Sequence, residues 1–210
     1  MLMTTKKTIL TIAVALGLLI VGAAGIHIYT QSAEEYQYEV YRHRQELAYF
    51  GSKDDLVYEV DNYIQSVAPG SCMNAITLVD VCDEEDIDLI FVIAQAQLES
   101  SFGTKGLGAR MNSVFNVGAF DGKGTKHMVK YDHPDMSVEP YISLLKNDYL
   151  VDGKTEADMM DKYINANGKR YATDKRYEEL LRDRYDYIQN DTSIGEKYST
   201  FLKYKIITGK

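Results

Sequence analysis

Apolar residues fall into two patterns along the chain. From Ile9 to Ile26 they form an almost unbroken run, interrupted only by Thr11 and small residues. That length is close to the ~20 residues a helix needs to cross a hydrocarbon core. Lys6 and Lys7 precede the run, and the next lysine or arginine is Arg42. The positive-inside rule then puts the N-terminus in the cytoplasm and the remainder outside. Residues 1–30 are expected to anchor the protein in a membrane through residues 9–28. A signal peptide cut near Ala23-Ala24-Gly25 stays open, although its apolar region would normally be shorter. Secretion would then replace anchoring.

Beyond the run the pattern becomes helical. Ser32 to Ala48 is polar and free of Gly and Pro, and residues 31–53 read as a helical stalk with a joint at Phe50-Gly51-Ser52. Asp54 or Asp55 suits the cap of a helix reaching Val67, which Pro69-Gly70 ends. A second helix is expected over Cys72 to Val81. A third is expected to start within Asp83-Glu84-Glu85-Asp86, where carboxylates favour a helix N-terminus. Its apolar positions Ile87, Ile90, Phe91, Ala94 and Leu98 define one buried face. The glycine-rich stretch from Gly103 to Gly124 reads as loop, with short extended pieces at Val114 to Val117 and Met128 to Tyr131. Further helices are expected over Val138 to Tyr149, Thr155 to Ile164, and from a cap at Asp174 to Gln189. The fold class is therefore mainly α, with at most a small hairpin.

Composition narrows the function. The formal charge is −8. Leaving out Lys6 and Lys7 gives 21 basic and 31 acidic residues, or −10, for the part outside. Nucleic-acid binders need a basic footprint, so that class is set aside. Two cysteines are too few for a disulfide-dense scaffold or a four-cysteine zinc site. Cys72 and Cys82 can pair only if their Cα atoms lie within ~7 Å, so pairing or two free thiols both stay open. His127 and His133 with Asp132 and Asp135 lack any metal-binding spacing, and no cofactor fingerprint occurs. The expectation is no metal and no cofactor.

The candidate chemistry sits at Glu99, which closes the run Ala94-Gln95-Ala96-Gln97-Leu98-Glu99. A carboxyl group at the edge of an apolar helix face has its pKa raised by desolvation. A proton retained near neutral pH is what a general acid for glycosidic cleavage needs.

Four segments, in order, resemble one family. Gln95 to Thr104 resembles the AQxxLESxxGxS signature of bacterial and phage β-N-acetylglucosaminidases, glycoside hydrolase family 73. Asn112 to Asp121 resembles its NNLFGI segment. Tyr131, with Ser137 to Tyr141, is similar to its Y-x-S-x-x-E-S-x-x-D-Y stretch. Tyr171-Ala172-Thr173-Asp174-Lys175-Arg176-Tyr177 is similar to its YATDPxY motif. The resemblance implies a lysozyme-like α+β domain over residues 54–190, with a small loop or hairpin lobe, followed by a C-terminal extension over 191–210. It implies cleavage of peptidoglycan glycan strands after N-acetylglucosamine, in wall remodelling or lysis. It also implies that Glu99 is the general acid and that Tyr171 faces the sugar. Gln95, Asn112, Phe115 and Tyr131 fall on substrate-lining segments. The residues themselves leave two of these open, since Asn112 also suits a turn and Phe115 a core.

The family's second carboxylate has no Glu to match it, because Glu139 is the lone Glu between Ser100 and Ile142. Asp121, directly after the cleft-floor segment, is the preferred second catalytic group, with an Asp-Gly turn as the alternative. Without such a group, the substrate's N-acetyl group or the muramic 6-hydroxyl could act, the latter as in lytic transglycosylases. A wall-binding protein that keeps the fold without turnover is the remaining alternative.

Overall fold

The structure is a computed structural model. It describes the backbone of residues 2–119 and 123–210 and the side chains of residues 34–119 and 123–210. The elements are helices α1 (Leu2–Val67), α2 (Ala75–Glu85), α3 (Leu89–Ser100), α4 (Gly106–Met111), α5 (Val138–Leu144), α6 (Glu156–Asp161), α7 (Tyr177–Asp191) and α8 (Ser193–Thr208). A 3-10 turn at Pro134–Ser137 leads into α5, and a π-turn at Leu145–Tyr149 follows it. Ile164 and Arg170 form an isolated antiparallel β bridge. The mainly α expectation holds. The described part of Gly103–Tyr131 is mostly loop with the short helix α4, in keeping with the loop form of the expected loop or hairpin lobe.

The chain divides into two compact units, residues 1–48 and residues 49–210. The first lies within α1. Among the residues with described side chains, no helix is long and apolar enough to cross a membrane. The anchor expected over residues 9–28 lies outside them. The helix does not break at the joint expected at Phe50-Gly51-Ser52, since α1 continues to Val67, but the division into units falls close by, between Ala48 and Tyr49. Asp54 and Asp55 therefore lie inside a helix and cap nothing. Ala68 donates back to Ile64, and Gly70 takes a φ of 87° beyond the helix end, as Pro69-Gly70 led us to expect.

The second unit is organised around α3. Leu89 to Ala96 are buried on every side of this helix, so its burial exceeds the single face read from the sequence. Helices α2, α4, α7 and α8 pack against it. From the last part of α1, Leu56, Val60 and Ile64 enter the same core. From α8, Ile194 and Phe201 do so, which makes residues 191–210 part of this unit.

The start of α3 differs from the sequence reading. Asp83, Glu84 and Glu85 finish α2, and Asp86 terminates it with a left-handed φ of 53°. Asp88 begins α3 instead, its carboxylate accepting from the backbone N–H of Ile90 (2.8 Å) and of Phe91 (3.4 Å). Asp83 meets partners from distant elements. It accepts from Tyr49 Oη at 2.7 Å and from Lys53 at 2.9 Å, and pairs with Lys205 at 2.9 Å. Helix α6 stops at Asp161, earlier than expected, after a capping box in which Thr155 and Asp158 satisfy each other's N–H groups. Asp174 does not cap α7. It forms the preceding turn, accepting from Arg176 N–H. Both cysteines are free; Cys72 is exposed, and burial pushes the Cys82 thiol up.

Candidate active site

Glu99 is the penultimate residue of α3, and the backbone turns sharply just past it. Ser101 and Phe102 adopt left-handed φ values of 46° and 53°. Two consecutive non-glycine residues in this region carry strain that the surroundings must hold. They are held in three ways. Phe102 is fully buried and lies edge-on to Tyr63, at 6.4 Å between ring centroids. Its N–H donates to Ala96 O at 3.1 Å. Ser100 Oγ donates to Val114 O at 2.6 Å and accepts from Gly103 N–H at 2.8 Å. Helix α4 approaches this corner so closely that a Cβ on Gly108 would lie 2.5 Å from Ser100 Cβ. The end of α3, with Glu99, is thereby clamped.

The Glu99 side chain is half-buried, and each carboxylate oxygen receives one donor. Tyr177 Oη donates to Oε1 at 2.5 Å. Asn116 Nδ2 donates to Oε2 at 3.1 Å and to the Glu99 carbonyl at 2.6 Å. Burial raises the Glu99 pKa, and the hydrogen bonds from Tyr177 and Asn116 oppose that rise without cancelling it. Among the described residues no carboxylate adds to these influences.

Around Glu99 lies a cluster of tyrosines. Tyr171 stacks on Tyr163 at 4.5 Å and 11°, its ring 5.6 Å from that of Tyr177. Tyr171 Oη donates to Phe115 O at 3.1 Å. Burial raises the pKa of Tyr163, Tyr171 and Tyr177. Their phenols thus stay neutral, and Tyr177 remains a donor. Among the described residues no cation beside the carboxyl group pulls the proton off.

The other site residues expected from the sequence separate. Gln95 is fully buried beneath the cluster, where its Oε1 accepts from Tyr141 Oη and, at 3.1 Å, from Tyr163 Oη. It supports the tyrosines and does not line a cleft. Phe115 is fully buried and stacked on Tyr141 at 3.8 Å and 7°, so it belongs to the core. Asn112 caps the C-terminal end of α4 with a φ of 49° and donates to the carbonyls of Tyr131 (2.9 Å) and Asp132 (3.2 Å). It fixes a turn. Tyr131 is half-buried beside it and donates its N–H to Met111 O. Asn112 also lines a pocket of about 480 Å³ with Gly103, Thr104, Asp132 and His133. Asp121 lies outside the described residues. Of the two further Asp residues that follow in the sequence, Asp132 accepts at its carbonyl from Asn112, and Asp135 accepts at its carboxylate from Asn74 N–H at 2.8 Å.

Two contacts of Glu99 were missed in the sequence. Tyr177 closes the motif that begins at Tyr171, and Asn116 follows Phe115. Both stand within quoted motifs, but pattern alone does not say which of two tyrosines reaches the acid. Among the described residues, no cluster of three or more His, Cys, Asp or Glu side chains suits a metal ion.

The site is thus a carboxyl group raised in pKa by burial and held by two donors beside a cluster of tyrosines, at the end of a buried helix. Residues 75–190 match the glucosaminidase family described as mannosyl-glycoprotein endo-β-N-acetylglucosaminidase. The chain belongs to this family, in agreement with the family 73 resemblance. Its matched segment runs from the first residue of α2 to the last turn of α7 and contains Glu99, Asn116, Tyr171 and Tyr177. The family places the chain broadly among glycan hydrolases. No curated protein matches the chain.

Proposed function

We propose that the protein is an endo-β-N-acetylglucosaminidase acting on peptidoglycan glycan strands, with Glu99 as general acid. The observation that carries this reading is the half-buried Glu99 carboxyl group, raised in pKa by burial and aimed by Tyr177 and Asn116. Glu99 donates its proton to the leaving glycosidic oxygen as the bond from the anomeric carbon breaks. The rigid hold on both carboxylate oxygens keeps the proton aligned with that oxygen. Water then attacks the anomeric carbon and loses its proton to a base, the role we propose for Asp121. Tyr171, stacked in the cluster, offers its ring face to the sugar next to the scissile bond.

A second reading follows from the sequence, in which Glu139 is the lone Glu between Ser100 and Ile142. A lytic transglycosylase needs no second carboxylate, because the muramic 6-hydroxyl attacks its own anomeric carbon. Cell-wall action also fits the sequence-based expectation of an anchor over residues 9–28 with the catalytic unit outside the cytoplasm, which we include in the proposal.

The test is incubation of the protein and of Glu99→Gln with purified peptidoglycan, followed by mass spectrometry of the released fragments. Reducing N-acetylglucosamine ends that vanish in Glu99→Gln are expected. Anhydro-muramic ends would turn the assignment to a transglycosylase. Sedimentation with the wall, but no release by the folded protein, would leave a binding protein.

A further inference from the structure

Helix α1 carries large apolar side chains on a surface that nothing in the first compact unit covers. Tyr36, Val40 and Leu47 are 66%, 38% and 59% exposed, and His43 between them is exposed as well. Their spacing is 4, 3 and 4 residues, the alternation that keeps one helical seam facing a neighbour. In the sequence the same spacing extends back to Ala33 and Tyr29 and forward to Phe50. That makes three heptads, the length at which such a repeat becomes informative. An isolated helix is marginal in water, and most of its stability comes from packing an apolar stripe.

The charges beside the seam identify the occupant. With Val40 and Leu47 at the first core position of the heptad and Tyr36 and His43 at the second, Glu39 and Arg44 fall on the two flanking positions. In a parallel pair in register, Glu39 of one chain lies opposite Arg44 of the other. An antiparallel pair would instead set Glu39 against Glu46, two like charges. Glu39 is already exposed and engaged with Arg42 of its own helix at 2.7 Å, so the second-chain arginine meets a carboxylate in water. We propose that this seam is the interface with a second copy of this chain, in a parallel, in-register two-stranded coiled coil over the stalk. This assignment is independent of the chemistry at Glu99.

Disulfide trapping in the full-length protein tests it. In a Cys72→Ser background, which removes the exposed native thiol, Val40→Cys, Leu47→Cys and Tyr38→Cys are each oxidised mildly in isolated membranes or detergent. Tyr38 lies on the opposite side of the helix and is the control. Covalent dimers are expected several-fold more abundantly at positions 40 and 47 than at 38. Glu39→Lys added to Val40→Cys is expected to lower the yield, and Arg44→Glu added to both to restore it. Equal trapping at 38 and 40, no trapping at 40 and 47, or a charge swap without effect would each overturn the proposal.

Discussion

Glu99 is subject to opposing influences that substitutions can separate. Burial favours the protonated form, whereas the donors Tyr177 and Asn116 favour the ionised one. The folded-state pKa is raised above its unfolded value. As pH rises through the ordinary carboxylate range, the unfolded chain loses this proton and the folded chain keeps it. The folded state then binds more protons than the unfolded one, and stability falls with pH until Glu99 itself ionises. Glu99→Gln carries no such dependence. It is expected to abolish glycan release and to be more stable than the parent above the ordinary carboxylate range, with the advantage gone at lower pH. Chemical denaturation at several pH values measures this. An advantage that grows toward acid would contradict the assignment.

Tyr177→Phe removes one donor and leaves the ring. Glu99 then loses a bond that favours its ionised form, and its pKa rises further. The alkaline limb of the pH–rate profile is expected to move to higher pH, while kcat at the optimum falls because Oε1 is no longer aimed. A purely structural Tyr177 would leave that limb in place. At this scale the sequence exposed the acid but not its neighbours. Glu99 stands out because a carboxyl group follows a long apolar run. Gln95, one turn earlier on the same helix, falls on a substrate-lining segment only by resemblance. What covers it comes from Tyr141 and Tyr163, residues far along the chain, and no local pattern reveals that. Phe115 stays open between cleft and core in the sequence for the same reason, and the structure gives it to the core, where Tyr141 stacks on it from α5.

Helix order was largely legible, and helix ends were less so. Proline and glycine marked the end of α1, and Thr155 marked the start of α6. The acidic run before α3 misled because several carboxylates in sequence all satisfy the dipole argument equally. Tertiary partners decide between them: Lys53 and Lys205 draw Asp83 to the end of α2, which leaves Asp88 to start α3. Asp88 therefore carries a testable weight. It caps two N–H groups and also accepts from Tyr185 Oη at 2.8 Å. Asp88→Ala should destabilise by about 2 kcal/mol, the upper part of the range for a lost cap. Asp88→Asn, which still accepts from the backbone, should recover most of it. The urea midpoint would shift with an unchanged m-value if the loss is local to the native state. An Asp88→Asn loss as large as that of Asp88→Ala would reverse the assignment of the cap.

The boundaries of the whole folded unit differ from those of the family match. The match covers residues 75–190, whereas the compact unit covers 49–210. The difference is apolar core. Leu56, Val60 and Ile64 of α1 and Ile194 of α8 are fully buried, and Phe201 is 2% exposed. Each buried side chain of this size contributes about 1.5–3 kcal/mol of apolar burial. Removing five of them exceeds much of the ~5–15 kcal/mol that holds a typical domain together. The two added segments also close the chain upon itself, since Lys53 and Lys205 both pair with Asp83. Helix α8 sits tightly after α7, where a Cβ on Gly195 would lie 1.9 Å from Gln189 O, so Gly195→Ala should also loosen this end. Residues 49–210 made alone are expected to unfold in one cooperative transition and to release glycan fragments as the full chain does. Residues 75–190 made alone are expected to show no cooperative transition and no release, although every described contact of Glu99 is present in them. Calorimetry on the two fragments decides the matter. A cooperative transition in the shorter one would mean that α1 and α8 are appended to the catalytic fold and do not complete it.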